Sequence, residues 1–355
     1  MSEMILPSRT HVIPMTTIRR ERILPVPGAA VVRVNEKVQA ADVIAQAEVS
    51  PKHYYLDIAR GLGIAESQAM RQIVVNVGEK VDEGDVIAGP VGVARKTVRA
   101  PEEGKITAIS KSRVLLQARG RLIEMRAGFP GVIVGSDGTQ VVTVETTGSL
   151  IQAVWGNGRQ DFGVMRIVGE GPGARLQTSQ LDIKLRGAVL ISGICDHPAP
   201  LHQATELSVR GVILGGMSSD LIPVARRLHY PIILTEGFGP RPINIPAFNL
   251  LSNNVGREVA LFGQMDALRK GQRPEAVIPL PTSRAVGLPE EVVVLQPGVR
   301  VRVLQDPFLG EVGIVRSILP NIIQYPSGIR ARSASIEVEG MGSVTVPLAN
   351  IEILQ

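Results

Sequence analysis

Three short runs of small and polar residues have the composition that best suits the binding of a small molecule. They are Ser192-Gly193, the run from Gly215 to Ser219, and Thr235 to Gly237. Small side chains leave room for a ligand, glycine lets backbone amides approach it, and a serine at a helix start offers N–H groups to an anion. The candidate ligand-binding residues are Ser192, Gly193, Gly215, Gly216, Ser218, Ser219, Thr235, Glu236 and Gly237. Such residues also make tight turns and helix caps, and the sequence favours that plainer interpretation.

The residues around these runs predict the elements that must position them. The segments LRGAVLISG, RGVILGG and YPIILTEGFG are typical of buried strands, and PLHQATELSV and SSDLIPVARRLH between them are typical of helices. Strands that alternate with helices through short connections predict a small parallel α/β layer. Because ligands favour the carboxyl ends of parallel strands, we expect the three runs to converge on one crevice that could sense a small anion.

A second group that could do chemistry is Cys195, His197 and His202, since one thiol and two imidazoles could hold zinc. The spacing C-x-H-x-x-x-x-H is not a recurrent metal motif, so a structural role is favoured. Glycines in WGNGRQDFG depart from the dinucleotide fingerprint. The sequence also contains no G-x-S-x-G elbow and no Walker loop. The sequence therefore predicts no enzyme, no cofactor and no metal.

One phrase occurs twice near the amino terminus. VNEKVQAADVIA begins at Val34 and VGEKVDEGDVIA begins at Val77, with the same apolar positions in both copies. Apolar residues separated by polar residues and glycine indicate short β segments joined by tight turns. We expect the copies to be two halves of one β unit, because shared apolar positions reach a common core if a local twofold relates them.

The phrases VGEKVDEGDVIAG and VRAPEEGKITAIS resemble the barrel-sandwich hybrid of lipoyl and biotinyl carrier domains and of related domains without cofactor. The resemblance covers residues 24–128, with a helical insertion at 52–72. Carriers attach their cofactor to a lysine at a hairpin tip. Here the candidate, Lys96, stands too close to Pro101 and lacks the usual neighbours. An unmodified structural domain is therefore expected.

Two further resemblances concern the rest of the chain. Residues 181–270 resemble the DRTGG-type α/β module in the phrases ISGICDHPAPLHQATELSVRGVILGG and LHYPIILTEGFG. They also resemble, more distantly, swivelling phosphohistidine domains. No histidine follows Gly215-Gly216, where such a phosphoryl carrier needs one. LQPGVRVRVLQDPFLGEVGIVRSI resembles the KOW motif and its SH3-like barrel, which would cover 291–355. The remaining segments are an N-terminal arm at 1–23, a β-rich connecting region at 129–180 and a proline-rich linker at 271–290.

Composition limits the partners. The start lacks a signal-peptide pattern and no apolar run is long enough to span a membrane, which predicts a cytoplasmic protein without a membrane partner. A single cysteine cannot form an internal disulfide and agrees with a reducing compartment. Residues 1–130 carry 19 basic against 14 acidic residues, whereas residues 291–355 carry 5 against 6. Nucleic acid is therefore a possible partner but not the favoured one.

The sequence thus predicts a multidomain β and α/β chain, made of a barrel-sandwich hybrid, a small parallel α/β layer and an SH3-like β-barrel. The favoured function is a non-catalytic scaffold or adaptor with a protein partner and a small-anion-sensing α/β module. One alternative is a nucleic-acid-associated factor that uses the KOW-like barrel and the basic N-terminal third. A weaker alternative is an accessory subunit of a larger enzyme complex.

Overall fold

The computed structural model describes residues 8–49, 52–265, 273–280, 287–289 and 293–354, and most of its regular structure is β-strand. The described strands form several sheets, the larger ones having eleven, six, four and three strands. The expectation of a chain made of several β and α/β parts is confirmed at this level.

The eleven-stranded sheet runs through the middle of the molecule. Ten of its strands follow one another in the order Trp155–Gly156, Ile232–Phe238, Gly211–Met217, Ala188–Cys195, Gln160–Ile167, Glu258–Phe262, Glu275–Pro279, Val141–Gln152, Gly131–Ser136 and Lys37–Val38. The eleventh, Val12–Ile23, pairs antiparallel along nearly all of Val141–Gln152. The expected N-terminal arm is therefore largely a strand of this sheet, and the expected connecting region supplies several of the sheet's other strands.

Four neighbouring strands of this sheet are parallel and form the α/β layer. The three strands predicted from the apolar runs pair in parallel as expected, and Gln160–Ile167 adds a fourth. Every residue of Ala188–Cys195 and Gly211–Met217 is buried, as is usual where both faces of a parallel sheet are covered. Successive side chains enter different cores, Leu190 on one face of the sheet and Ile191 on the other.

Short helices cover the two faces of the α/β layer. They are Pro198–Glu206, Ile222–Arg227 and Ile245–Ser252, with 3₁₀ turns at Thr178–Gln180, Ile183–Leu185 and Ser219–Leu221. Each of the three α-helices has a proline in its first turn, where the missing N–H costs nothing. The third is also capped by the side chain of Asn244, which accepts from the N–H of Ala247 at 2.9 Å. Among the helices that the structure describes, none has both the length and the apolar character that a membrane crossing requires.

The two copies of the repeated phrase lie in two different β units, the outer module and the inner module. The outer module comprises Ala29–Ala30, Lys37–Val38, Val43–Val49, Arg121–Arg126 and Gly131–Ser136. The inner module comprises His53–Asp57, Lys80–Val81, Val86–Val91, Lys96–Arg99, Gly104–Ser110 and Arg113–Ala118, with helices Ile58–Leu62 and Glu66–Ala69 and a 3₁₀ turn at Met70–Gln72. The segment expected as a helical insertion at 52–72 therefore begins with a strand.

Each copy packs into its own core. Val38 and Ile44 of the first copy lie in one buried cluster, whereas Val81 and Ile87 of the second lie in another. In the described part of the chain, no strand of one copy pairs with a strand of the other. The expectation that the copies are two halves of one unit is therefore wrong. The physical reason is that each copy finds its partner strands further along the chain, so each completes a separate unit.

The strand register shows that one module is inserted into the other. Val38 pairs with Gly131 in the outer module as Val81 pairs with Gly104 in the inner one. The antiparallel hairpins of the two modules are also equivalent. Val43 pairs with Arg126 in the outer module, and Val86 pairs with Arg99 in the inner module. Residues 92–95 close the inner hairpin, whereas the whole inner module lies between the two strands of the outer hairpin. The inner module thus projects from the end of that hairpin.

The residues shared by the two copies stabilise turns. The carboxylates of Glu36, Asp42, Glu79 and Asp85 each accept a hydrogen bond from the backbone N–H three residues earlier, at 2.7 or 2.8 Å. Such side-chain acceptors stabilise a local turn without any tertiary contact. The repetition therefore encodes the same two turns twice.

The last 62 described residues, 293–354, form a C-terminal β unit. Its strands are Arg300–Val303, Val312–Ile318, Ser333–Val338, Gly342–Pro347 and Ile351–Leu354, with a small hairpin of Ile323–Gln324 and Arg330–Ala331 and a 3₁₀ turn at Leu348–Asn350. Val301, Val303, Ile336 and Val346 are fully buried in its core. The sheet of this unit has a sixth strand, Ser8–Thr10, which comes from the other end of the chain and pairs in parallel with Ile351–Leu354.

The segment expected as a proline-rich linker contains a central strand. Glu275–Pro279 pairs with Val141–Gln152 on one side and with Glu258–Phe262 on the other, and its first four residues are buried. The linker expectation is therefore wrong for this strand. The prolines that suggested a linker flank the apolar run Ala276 to Ile278, which is long enough for a strand. Residues 271–272, 281–286 and 290 of the expected linker lie outside the described residues.

Candidate functional site

The chain itself fills the crevice expected at the carboxyl ends of the parallel strands. A Cβ atom added at Gly193, Gly215 or Gly216 would come within 2.3 to 2.4 Å of backbone atoms in the loops 172–174 and 239–243. These glycines therefore allow two loops to pack directly on the sheet. The room that was expected for a ligand is used by the protein's own backbone.

The other predicted residues are also engaged within the protein. The Ser192 hydroxyl donates to the carbonyl of Ala174, and the Thr235 hydroxyl donates to that of Leu214, both at 3.3 Å. Ser218 precedes the 3₁₀ turn that starts at Ser219 and makes no side-chain cap. Gly237 has a φ of 100°, where a side chain would be strained, next to an irregularity in the strand pairing. These contacts match the expectation of tight turns, whereas the expected serine cap at Ser218 is not formed.

Glu236 is the predicted residue with the most informative surroundings. Its carboxylate is buried beside the C-terminal β unit, where Oε2 accepts from Nη1 of Arg302 at 2.6 Å. Its other oxygen accepts from the side-chain amide of Asn244 at 2.6 Å. The same Arg302 nitrogen donates to the carbonyl of Thr235 at 3.1 Å. The end of a parallel strand is therefore bound to a strand of the C-terminal β unit.

Glu352 holds the other side of the Arg302 guanidinium. Its Oε2 accepts from Nε of Arg302 at 3.0 Å and also from Nη2. Its Oε1 accepts from the hydroxyl of Thr10 at 2.6 Å and from Nη1 of Arg273 at 2.9 Å. We call this set of contacts, Thr10, Glu236, Asn244, Arg273, Arg302 and Glu352, the buried junction. It joins the α/β layer, the strand Ser8–Thr10 and the C-terminal β unit.

Electrostatics explain why a cation and two carboxylates are stable together inside the protein. Burial alone lowers the pKa of Arg302, but the charges of Glu236 and Glu352 outweigh that effect and raise it. Burial likewise raises the pKa of Glu352, but the charge of Arg302 and hydrogen bonds from Arg273, Thr10 and Arg302 hold it below its usual value. Both groups therefore remain charged at neutral pH, and each compensates the desolvation of the other.

Sequence reasoning missed the buried junction. In the strand Arg300–Val303 the valines point into the core, and alternation along a strand predicts that the arginines face solvent. Arg300 does so, but Arg302 is 2% exposed because the α/β layer covers it. No local pattern distinguishes the two arginines. What distinguishes Arg302 is its acidic partners, Glu236 and Glu352. They lie 66 residues before it and 50 residues after it in the sequence, and the tertiary fold brings them next to it.

The expected structural role of Cys195 agrees with its surroundings. The thiol is buried and donates to the carbonyl of His197 at 3.3 Å, whereas the side chains of His197 and His202 are exposed. Burial raises the pKa of the Cys195 thiol to about 11, so the reactive thiolate is scarce at neutral pH. Within the ranges that the structure describes, no three His, Cys, Asp or Glu side chains are grouped as a metal site would need.

A cavity of about 530 Å³ is lined by the strand Val12–Ile23 and by neighbouring strands of the eleven-stranded sheet, and we call it the arginine pocket. Its described walls contain four arginines and two glutamates, together with uncharged polar groups and the ring of Phe262: His11, Arg19, Arg20, Glu21, Arg22, Thr143, Leu150, Gln152, Phe262, Gln264, Arg273, Glu275 and Pro289. The volume falls within the range of small-molecule sites. With histidine neutral, the described walls carry a net positive charge.

The arginines of this pocket differ in how they are neutralised. Arg20 makes two parallel hydrogen bonds to the carboxylate of Glu275, at 2.5 and 2.6 Å. Arg19 pairs with Glu145 at the surface. Arg22 packs over the ring of Phe262, 4.6 Å from its centroid, and donates from Nη2 to the amide oxygen of Gln160. Its Nε is buried and has no hydrogen-bond partner within the described structure.

Comparison with known proteins gives no family for this chain. No model of a protein family matches it, and no curated protein matches its sequence.

Proposed function

We propose that the protein is a non-catalytic scaffold or adaptor, which holds its surface modules in one fixed arrangement for a protein partner. The observation that carries this proposal is the Arg302 guanidinium, bound on one side by Glu236 of the α/β layer and on the other by Glu352 of the C-terminal β unit. A buried ion pair adds little net stability compared with apolar packing, but it disfavours every arrangement that leaves its charges unpaired. It therefore favours one orientation of the parts it joins.

The inner module supports the same proposal. It has its own core, and the chain enters and leaves it at the end of the outer hairpin. Its edge strand, His53–Asp57, pairs with Arg113–Ala118 and presents Tyr55 with 60% of its surface exposed. An exposed aromatic residue on an edge strand is a common feature of protein-binding surfaces. The resemblance to barrel-sandwich domains remains part of this proposal, with Lys96 unmodified.

A protein partner fits the charge distribution better than nucleic acid does. Arg302 is inside the molecule, and Arg316 pairs with Glu337, so the C-terminal β unit offers fewer basic groups than its sequence suggests. In the N-terminal third, Arg119 pairs with Glu103 and Arg20 with Glu275. Phosphate binding needs basic groups whose charge is still available. We place this role in the cytoplasm, since a single cysteine agrees with a reducing compartment.

Purification of the full chain from its native cell under mild conditions tests the proposal. The expected result is a stoichiometric complex with another polypeptide, which the Arg302→Met variant forms less well because its parts are no longer fixed. Isolation of the chain without a partner would contradict it. Filter binding at low and moderate salt tests the nucleic-acid alternative, which predicts tight binding with a steep salt dependence. An enzyme as the partner would support the accessory-subunit alternative.

A further inference from the structure

The N-terminal strand places two arginines where its neighbours place core residues. In Val12–Ile23 side chains alternate between the faces of the sheet, so Ile18, Arg20 and Arg22 share one face. Leu24 continues the same row just after the strand. Ile18 and Leu24 are 1% and 0% exposed, and both arginines are partly buried. Two cations therefore face inward, which requires a compensating interaction for each.

Arg20 is hydrogen-bonded to a carboxylate, whereas Arg22 is hydrogen-bonded to none among the described residues. Glu275 binds Arg20 through both of its carboxylate oxygens. Among the described residues, the hydrogen-bond acceptor of Arg22 is the neutral amide of Gln160, and the buried Nε makes no hydrogen bond there. A buried donor without an acceptor destabilises the folded protein, and more so when the donor is charged. Within the described walls, the pocket thus contains a desolvated cation with an unused donor.

The electrostatic surroundings of Arg22 agree with this geometry. Burial lowers the pKa of the Arg22 guanidinium to about 10, and the charge of Glu275 offsets only part of the effect. The protein therefore disfavours the charge on Arg22, although arginine stays charged at neutral pH. An anion in the pocket would reverse this imbalance, because its charge would stabilise the guanidinium.

We infer that the arginine pocket binds a small organic anion, a carboxylate or a phosphate monoester, whose oxygens accept from the guanidinium of Arg22 and whose carbon frame lies against Phe262. Carboxylate and phosphate share the acceptor geometry that a guanidinium recognises. The Phe262 ring and the side chain of Leu150 supply apolar wall, whereas Gln152 and Gln264 supply amides for polar substituents. A cavity of about 530 Å³ accommodates a ligand no larger than a mononucleotide.

The pocket also shares one residue with the buried junction. Arg273 lines the pocket, and its Nη1 donates to Thr10 and Glu352 at 2.6 and 2.9 Å. Arginine has five N–H donors, so Arg273 can contact an anion while it keeps these bonds. Ligand bound at Arg22 therefore lies beside a group that helps to orient the C-terminal β unit.

Titration of the full-length protein with chosen anions tests the inference. The probes are inorganic phosphate, AMP, citrate and benzoate, with benzamide as the uncharged match for benzoate. We expect at least one organic anion to raise Tm and to bind in calorimetry, and benzamide to do neither. A preference between AMP and the carboxylates identifies which anionic group the site takes. Failure of every anion to bind at millimolar concentration would overturn the inference.

Variants separate ligand binding from a structural role of Arg22. Arg22→Gln should weaken binding about tenfold or more, because one charge-assisted hydrogen bond is lost. The matched control is Arg119→Gln, which removes an exposed arginine that pairs with Glu103 and should bind like the parent. Without ligand, Arg22→Met should keep or raise Tm, since it removes a desolvated cation. Unchanged affinity in Arg22→Gln, or a clear fall of Tm in Arg22→Met, would contradict the assignment.

Discussion

Arg302 Nη1 and Glu236 Oε2 lie 2.6 Å apart in an ion pair that joins the C-terminal β unit to the α/β layer, and 3% and 4% of the two side chains is exposed. Replacement of Arg302 by methionine removes the cation that binds the buried carboxylate of Glu236 and leaves Glu352 paired with Arg273. We expect a loss of about 3–5 kcal/mol in the free energy of unfolding, measured with a chemical denaturant. Arg316→Met is the control, because Arg316 pairs with Glu337 at the surface and should cost about 0–1 kcal/mol. Equal losses in both variants would contradict the role of the junction.

The buried junction should also make stability depend on pH through Glu352. Its pKa is lowered in the folded protein, so its contribution is complete above the unfolded value of about 4.3 and is lost as pH falls through the folded value. Glu352→Gln should therefore be less stable than the parent at neutral pH, and the difference should shrink in acid below pH about 4. Denaturation of both proteins across this range measures it. A difference that stays constant into acid would show that the charge of Glu352 is not responsible.

The nesting of the modules predicts that the inner one can be removed. In the inner hairpin four residues, Gly92 to Arg95, connect Val91 to Lys96, which pair with each other. In the outer hairpin Val49 pairs with Arg121 in the same way. Replacement of residues 50–120 by Gly-Val-Ala-Arg should therefore close the outer hairpin and leave a cooperatively folded chain. Circular dichroism and thermal melting would test this, and loss of the cooperative transition would contradict the nesting.

The excised inner module provides the complementary test. Its core, which includes Ile58, Ile87, Ile106 and Leu116, is a separate cluster of fully buried side chains. A fragment of residues 52–118 should therefore fold alone, with dispersed amide signals in NMR. A fragment that stays unfolded would indicate that the module depends on contacts with the rest of the chain.

The C-terminal β unit should be less independent than the inner module. A fragment that starts near Val293 lacks the strand Ser8–Thr10 and exposes Arg302, which the α/β layer covers in the full chain. We expect it to form its sheet but to melt below the temperature at which the same unit melts in the full chain. Equal melting temperatures would mean that the junction contributes no stability to this unit.

The sequence was informative where the determining signal is local. The three apolar runs of the α/β layer predict parallel strands, because the residues that form a buried strand and the helix after it are consecutive in the sequence. The turns at Glu36 and Glu79 were likewise visible as a repeated phrase. By contrast, the prolines around the strand Glu275–Pro279 indicate a linker, although its apolar run is long enough for a strand.

The nesting and the buried junction needed information from distant residues. A second repeat does exist, since Arg99-Ala100 is followed by the same spacing of glycine and isoleucine as Arg126-Ala127, in RAPEEGKI and RAGFPGVI. Comparison of these phrases could have shown that each copy closes its own module. Arg302 carried no such signal, because its burial follows from the packing of the C-terminal β unit on Glu236.

Residual dipolar couplings of the full-length protein test the central claim, a fixed arrangement of parts, most directly. They would be measured for backbone amides in Ala188–Cys195 of the α/β layer and in Ile351–Leu354 of the C-terminal β unit, together with the strands that pair with each. Because Arg302 binds both parts, the account predicts that one alignment tensor describes both sets of couplings. Two tensors of clearly different magnitude or orientation would show that the units move independently, and would contradict the proposal of a rigid scaffold.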